Sequence, residues 1–328
     1  VNTPDNPIIP KSKKILKLET IFSIAFHEKT KLDDFLSFNI KSEYKKLEYN
    51  GRIIYHPSTK LKSYHKFIND FILFHLNINK EVVYSYRKGS STYEAVKKHS
   101  DKKWFFNTDI NNFFSSITKN FAREVLEDNT SAIPIIDIQE YYDKILDFII
   151  VDDILPIGFS TSPAFSNACL YKFDNNIQDY SSENNLIYTR YSDDIIISSD
   201  NKEIIHSIYT TVSNFLSKEN NGNFSLNKYK TKIVNKGNKV KLLGMVVLPS
   251  GKVTVDIKIK KKIEYLIYFY ITDKDKFKDA IGKDIDKGIE MISGNLNHIN
   301  TIDKSYLNKL RKKYGNVIID MFFHKNVF

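Results

Sequence analysis

Apolar and polar residues change rhythm repeatedly along this 328-residue chain, and each change predicts an element. Residues 18–29, LETIFSIAFHEK, repeat apolar positions at helical spacing. Residues 44–56, YKKLEYNGRIIYH, alternate instead, with Asn50-Gly51 where a two-residue hairpin turn needs positive φ. The helical period returns in LKSYHKFINDFILFHL, from Leu61. WFFNTDINNFFSSIT, residues 104–118, predicts a strand running into Asp109 and then a helix capped by a Ser or Thr. DIQEYYDKILDFIIV reads as an amphipathic helix, and LPIGFSTSPAFSN as a loop through Gly158 in which Ser162 caps a helix opened by Pro163. Phe165, Cys169, Phe173 and Ile177 then follow at four-residue steps, the buried face of one helix, which makes Cys169 a core residue. LIYTRY and IIISS are two β-rich runs separated only by Ser192, Asp193 and Asp194, a hairpin with a carboxylate doublet at its tip. KEIIHSIYTTVSNFL is helical, KVKLLGMVVLPSGKVTV is a second hairpin turning at Pro249 to Gly251, and the chain from Ile257 on is helical and Lys-rich. The stretch up to Lys14 reads as extended. Strands mixed with helices and a helix-only end predict an α+β core followed by a helical domain.

Composition narrows the class. An apolar content of 41% in a chain of this length supports one large core or two to three subdomains, and excludes disorder. No apolar stretch reaches the roughly 18 residues that span a bilayer, and VNTPDNPIIPKSKK lacks the apolar centre of a signal peptide, so the expected location is the cytoplasm with no membrane partner. One cysteine excludes an internal disulfide and a Cys-based zinc cluster. Any bound metal must be held by oxygen. Lys and Arg outnumber Asp and Glu by 49 to 39, and 20 Tyr and 23 Phe are interleaved with that charge. Cations beside stacking platforms suit a nucleic acid; a Lys-rich surface from AT-rich coding gives the same composition.

Aspartate doublets occur three times, at Asp33-Asp34, Asp152-Asp153 and Asp193-Asp194, and only context separates a metal site from a turn. If Asp109 at its strand end meets Asp193 and Asp194 at the hairpin tip, three carboxylates crowd together. Hard oxygen ligands without Cys or His select Mg²⁺ or Mn²⁺. A pair of such ions about 4 Å apart suits the in-line displacement of nucleotidyl transfer. Taken singly, each Asp reads equally well as a cap or a turn residue.

The motifs decide between these readings. DINNFFSSI at 109–117, IGFSTSPAFSN at 157–167, YSDD at 191–194, NKYKTKI at 227–233 and LLG at 242–244 resemble, in order, five palm motifs of reverse transcriptases. GRIIYHP at 51–57 resembles the fingers segment before them, and residues 294–315 resemble a thumb. The resemblance is to bacterial retron-type enzymes and related defence-associated and abortive-infection groups. It implies a right-hand polymerase: an N-terminal extension over 1–40, fingers with the start of the palm over 41–108, palm over 109–256 with a fingers insertion about 119–155, and helical thumb over 257–328. Two departures favour the groups outside the retrons. EAVKKH sets Ala95 and His99 one residue further apart than the retron Asn-Ala-x-x-His pattern, and Leu242, Leu243 and Gly244 stand where retrons carry Val-Thr-Gly.

The resemblance also implies roles. Asp109 and Asp193 would ligate two Mg²⁺ ions, helped by the carbonyl of Ile110, with Asp194 adding charge. The amides of Asn112 and Phe113 would hold triphosphate oxygens, with Arg52 and one of Lys45 or Lys46 closing from the fingers. Phe114 falls at the steric gate that selects deoxynucleotides, and Lys230 is the candidate general acid for pyrophosphate. Gly158 would allow close backbone approach to nucleotide or template. Tyr191, Ser192, Leu243, Gly244 and Met245 would contact primer or template. At Ile157 the family commonly has Gln, and an apolar side chain cannot make that hydrogen bond to the sugar. IKIKKKIEYL and LRKKYG suit duplex phosphates or a structured RNA. The implied activity is RNA-templated DNA synthesis from dNTPs, in antiphage defence with a dedicated noncoding RNA. Protein-primed or untemplated nucleotide addition and an RNA-binding scaffold with an inactive palm are the alternatives. An effector protein or a second copy of the chain are further partners to expect.

Overall fold

The computed structural model describes residues 15–282 and 284–325; the expected extended stretch up to Lys14 lies outside them. Alternation and turn chemistry produce nine strands among the described residues: β1 (Tyr44–Tyr49), β2 (Arg52–Pro57), β3 (Trp104–Asp109), β4 (Ile187–Tyr191), β5 (Asp194–Ser199), β6 (Lys232–Asn235), β7 (Val240–Leu242), β8 (Met245–Val247) and β9 (Val253–Val255). β1 and β2 form a separate antiparallel hairpin, joined by Asn50 and Gly51 at φ 50° and 71°. Four strands form a sheet in the order β4-β5-β3-β6, and β7-β8-β9 form a third sheet.

The chain folds into two compact units, one built from the described residues up to Lys88 with Asp109–Tyr180 and Thr210–Asn227, the other from Gly89–Thr108, Ser181–Tyr209 and the residues from Lys228 on. Aromatic rings fill the first. Phe22, Phe35, Tyr64, Phe67 and Phe148 are at most 3% exposed, and Phe35 stacks on Phe148 with centroids 4.5 Å apart. The second has an aliphatic core in which Val96, Ile196, Val240, Leu242, Met245 and Val247 pack with Ile263, Leu266, Ile292 and Leu296.

Three expectations change. Phe165, Cys169, Phe173 and Ile177 are all buried, but not on one helix: Phe165 is on Ser162–Ala168, Phe173 and Ile177 are on Tyr171–Glu183, and Cys169 caps the first between them. The Leu170 amide bonds back to Asn167, ending the first, and the Leu170 carbonyl receives the Asp174 amide, starting the next. Apolar spacing cannot register such a break. Ser162 is not the cap; Thr161 holds that position, and the Ser162 hydroxyl donates to the Pro156 carbonyl at 2.6 Å, closing the loop that carries Ile157 and Gly158. Residues 239–255 form a three-stranded meander and not one hairpin, because Leu243 and Gly244 make an additional turn at φ 46° and 77°. A leucine in that region is rare enough that turn rules pass over it.

Asp303 ties the second unit together. At the N-cap of the helix Lys304–Tyr314, its nearly inaccessible carboxylate receives Lys252 at 2.8 Å and Lys260 at 3.0 Å, with bonds from Thr254 and Ser305. Burial alone would raise this carboxyl, but those four donors outweigh it and hold the group well below the usual carboxylate range. A depressed acid contributes stability above its unfolded pKa and loses it as pH falls. Asp303→Asn should therefore cost about 3–5 kcal/mol at pH 7, with the gap to wild type narrowing below about pH 4; urea unfolding across pH checks both.

Candidate active site

The β4–β5 hairpin pairs Tyr191 with Asp194, Arg190 with Ile195 and Thr189 with Ile196, leaving Ser192 and Asp193 as the turn. Ser192 takes φ 58° and is buried, while Tyr191, Asp193 and Asp194 are half-buried. Arg190 is fully buried on the strand leading into the turn, and its Nη1 donates to the Ser192 carbonyl at 2.7 Å. Ile195, Ile196 and Ile197 anchor the returning strand at no more than 1% exposure.

The other two doublets have hydrogen-bond partners elsewhere in their own unit. Asp34, in the first turn of the helix Leu32–Leu36, accepts the Lys31 amide at 3.1 Å. Asp152 and Asp153, at φ 53° and 60°, make the turn between bridged Val151 and Ile154. Asp152 accepts from Lys46 at 2.6 Å and from the Tyr55 hydroxyl at 3.2 Å, and Asp153 accepts the Lys119 amide at 2.9 Å.

Asp109 closes β3, the sheet neighbour of β5, and is 4% exposed. Its carbonyl accepts the Asn227 amide at 2.8 Å, and the Asn111 amide donates to Ser225 at 2.8 Å. That bridge between Ile110 and Leu226 uses the flanking peptide groups, so it does not consume the carbonyl of Ile110 itself. Asn112 follows at φ 47°, exposed, with its carbonyl receiving the Ser116 amide at 3.0 Å. The two aromatics separate clearly. Phe113 is 3% exposed and packs on Phe224 at 5.5 Å, whereas Phe114 is half-buried and meets Phe113 edge-on. Thr108 and Thr231 share a 2.7 Å hydroxyl bond, which fastens the segment carrying exposed Lys230 to the residue before Asp109.

Backbone approach at Gly158 is closer than the sequence suggests, and its partner is the protein's own chain. The Tyr55 amide of β2 donates to the Ile157 carbonyl at 2.7 Å, and a Cβ on Gly158 would lie 2.3 Å from the Tyr55 carbonyl oxygen. Ile157 remains 39% exposed beside it. Register on this hairpin also separates the two lysines. Lys46 opposes Tyr55 and reaches Asp152, while Lys45, Leu47 and Tyr49 oppose His56, Ile54 and Arg52, which puts Lys45 and Arg52 on the same face. Leu243 and Gly244 form a turn, but Met245 is fully buried in the core and offers that turn only its backbone.

No group of three or more His, Cys, Asp or Glu side chains that could hold a metal ion stands among the described residues. Taken separately, each strand end offers only hard oxygen donors, of the type a divalent cation takes: Asp109 and the Ile110 carbonyl on one, Asp193 and Asp194 on the other. Two supporting residues escaped the sequence reading. Buried Arg190 is visible only as a charge inside a strand-like run, and His99, read as a motif departure, is fully buried against the hairpin with bonds to both its strands.

Residues 44–247 match the reverse transcriptase (RNA-dependent DNA polymerase) family. The chain belongs to that family. Three retron reverse transcriptases of Escherichia coli are similar to it: Ec83 at 23% identity and Ec73 at 27%, each over 80% of this chain and 83% of theirs, and Ec86 at 25% over 80% and 78%. This retron-like bacterial reverse transcriptase is thus an RNA-directed DNA polymerase with the α+β right-hand polymerase fold. Among solved structures, telomerase from Candida tropicalis in complex with a fragment of telomeric RNA aligns at a TM-score of 0.48 and 15% identity, over 83% of this chain. Telomerase from Candida albicans aligns at 0.45 and 12%, and this chain spans about half of each, 54% in both cases. No helix among the described residues is long and apolar enough to cross a membrane.

Proposed function

We propose that this reverse transcriptase copies a dedicated, structured noncoding RNA into DNA in antiphage defence, in the cytoplasm, with Asp109, Asp193 and Asp194 as its catalytic carboxylates. The observation that carries the reading is the sheet order, which makes the strand ending in Asp109 the neighbour of the strand beginning at Asp194. Two Mg²⁺ ions bound there would activate the attacking 3′-hydroxyl and stabilise the leaving pyrophosphate. Around them Asp109, Asp193 and the Ile110 carbonyl act as oxygen ligands, Asp194 adds negative charge, and the Asn112 and Phe113 amides hold triphosphate oxygens. Lys230 delivers a proton to pyrophosphate, and half-buried Phe114 sets its ring against a ribose 2′-hydroxyl. Tyr191 and Ser192, with the turn at Leu243 and Gly244, support the primer end.

Lys45 and Arg52 are the fingers cations that hold the triphosphate, since Lys46 already has Asp152 as its partner. Lys45→Ala should raise the KM for dNTP about tenfold, in line with loss of one charge-assisted contact, and Lys46→Ala less than threefold; steady-state kinetics on a homopolymer template distinguish them.

Primer extension on poly-rA with labelled dNTPs and Mg²⁺ tests the activity. Incorporation that continues unchanged without template would favour untemplated addition, and a wild type as inert as its Asp193→Asn variant would favour the scaffold reading. Sequencing nucleic acid that copurifies with the protein tests the noncoding RNA.

A further inference from the structure

Ile195, Ile196 and Ile197 raise a problem of register. Strand register is ordinarily set by alternation, because a one-residue slip exchanges the two faces. Here all three positions are the same residue and all are buried, so a one-residue slip keeps isoleucine at two of the three and weakens the register signal. The turn does not enforce the register either, since Ser192 at φ 58° occupies a position that favours glycine. Yet a slip by one would move Asp194 to the opposite face of the hairpin.

His99 supplies what the apolar pattern lacks. Its ring is fully buried, with Nδ1 2.7 Å from the Ser198 hydroxyl and Nε2 2.7 Å from the Thr189 hydroxyl. Ser198 opposes Ile187, Thr189 is two residues further along β4, and Tyr191 opposes Asp194, so the bridged hydroxyls and the Asp194 side chain share one face. The histidine caps the C-terminus of the helix Thr92–Lys98, whose Val96 packs in the same core as Ile196. Burial keeps the ring neutral, pushing its pKa down to about 3, so one nitrogen donates and the other accepts while each hydroxyl takes the complementary part. A slip in one direction would set Ile197 against the ring. In the other it would set Ser199 there, whose hydroxyl already accepts the Asn201 amide at 3.1 Å. The first leaves a buried ring nitrogen without its bond, and the second makes the ring compete with the Asn201 amide for the Ser199 hydroxyl.

We infer that His99 is a positioning residue for DNA synthesis, pinning β4 to β5 in the one register that presents Asp194 on the Thr189 and Ser198 face. The inference rests on the reading of Asp193 and Asp194 as the catalytic doublet. Thr189→Val and His99→Leu, checked for folding by circular dichroism and melting, should each lower kcat at least tenfold and raise the Mg²⁺ concentration for half-maximal activity several-fold. The KM for dNTP should stay within about twofold, a split that general destabilisation would not produce. Combining the two should add little beyond either alone, because both remove the same bridge. His99→Gln, which keeps one donor and one acceptor, should recover part of the loss. A folded Thr189→Val or His99→Leu protein with wild-type kcat and Mg²⁺ requirement overturns the inference; if His99→Leu does not fold, Thr189→Val decides. Asp193→Asn runs alongside: an active Asp193→Asn protein defeats the doublet reading itself, whereas an inactive one beside a normal Thr189→Val defeats only the role of His99.

Discussion

Asp193→Asn is expected to reduce templated incorporation by roughly a thousandfold or more while leaving the melting temperature within a few degrees of wild type. Asparagine keeps the shape of the side chain and removes the charge. Asp193 sits half-buried at a turn position, outside the paired strands, so the hairpin has little reason to change. The fully buried isoleucines of β5 hold that strand whether or not the turn is charged. Asp33→Asn provides the control. It is also half of an aspartate doublet, but in the first turn of a short helix, and it should retain wild-type incorporation. Primer extension with Mg²⁺ on both proteins checks the contrast, and equal activity in the two would remove the hairpin doublet from the chemistry.

Gly158→Ala should be the most damaging single-methyl change in the first unit. Two penalties combine there. A φ of 108° lies where an alanine is strained by about 1–3 kcal/mol, and the new Cβ would stand 2.3 Å from the Tyr55 carbonyl oxygen, a backbone atom of β2 that cannot rotate away. Relieving that overlap means pulling the loop from β2 and losing the 2.7 Å bond between Tyr55 and Ile157. Gly244→Ala separates the two effects. Gly244 has a φ of 77° with nothing within 4 Å of a Cβ, so it incurs strain without collision. Urea unfolding should show a loss of about 3–5 kcal/mol at Gly158 and about 1 kcal/mol at Gly244. Similar losses at both positions would mean that the loop moves freely off β2.

Much of the fold was legible because local chemistry is specific in these segments. Asn50-Gly51 marks its turn by positive φ, the tail of the chain reads as helix, and the β4–β5 hairpin follows from two β-rich runs around a short polar tip. The failures share a cause. Leu243 enters the left-handed region without being Gly, Asn or Asp, and Cys169 and Leu170 break a helix without Pro or Gly. In both places tertiary packing overrides a local preference that carries no outward sign. Lys45 and Lys46 were equivalent in one dimension and opposite in three, since alternate residues of a strand face opposite ways and only pairing shows which face holds Arg52.

The sequence by itself determined the family, because ordered motifs at characteristic spacings record the chemistry: carboxylates, a glycine loop, an aromatic five residues after the first Asp. It also excluded a Cys-based metal cluster, since the chain has a single cysteine. Tertiary structure decided what supports those motifs. It showed that Gly158 is required by the carbonyl of Tyr55, that the other two doublets have hydrogen-bond partners of their own, and that His99 and Arg190 brace the third. The reason is physical. A motif is a local record of reactive groups, whereas the bonds from His99 join residues ninety or more positions apart, whose closeness exists only once the core has formed.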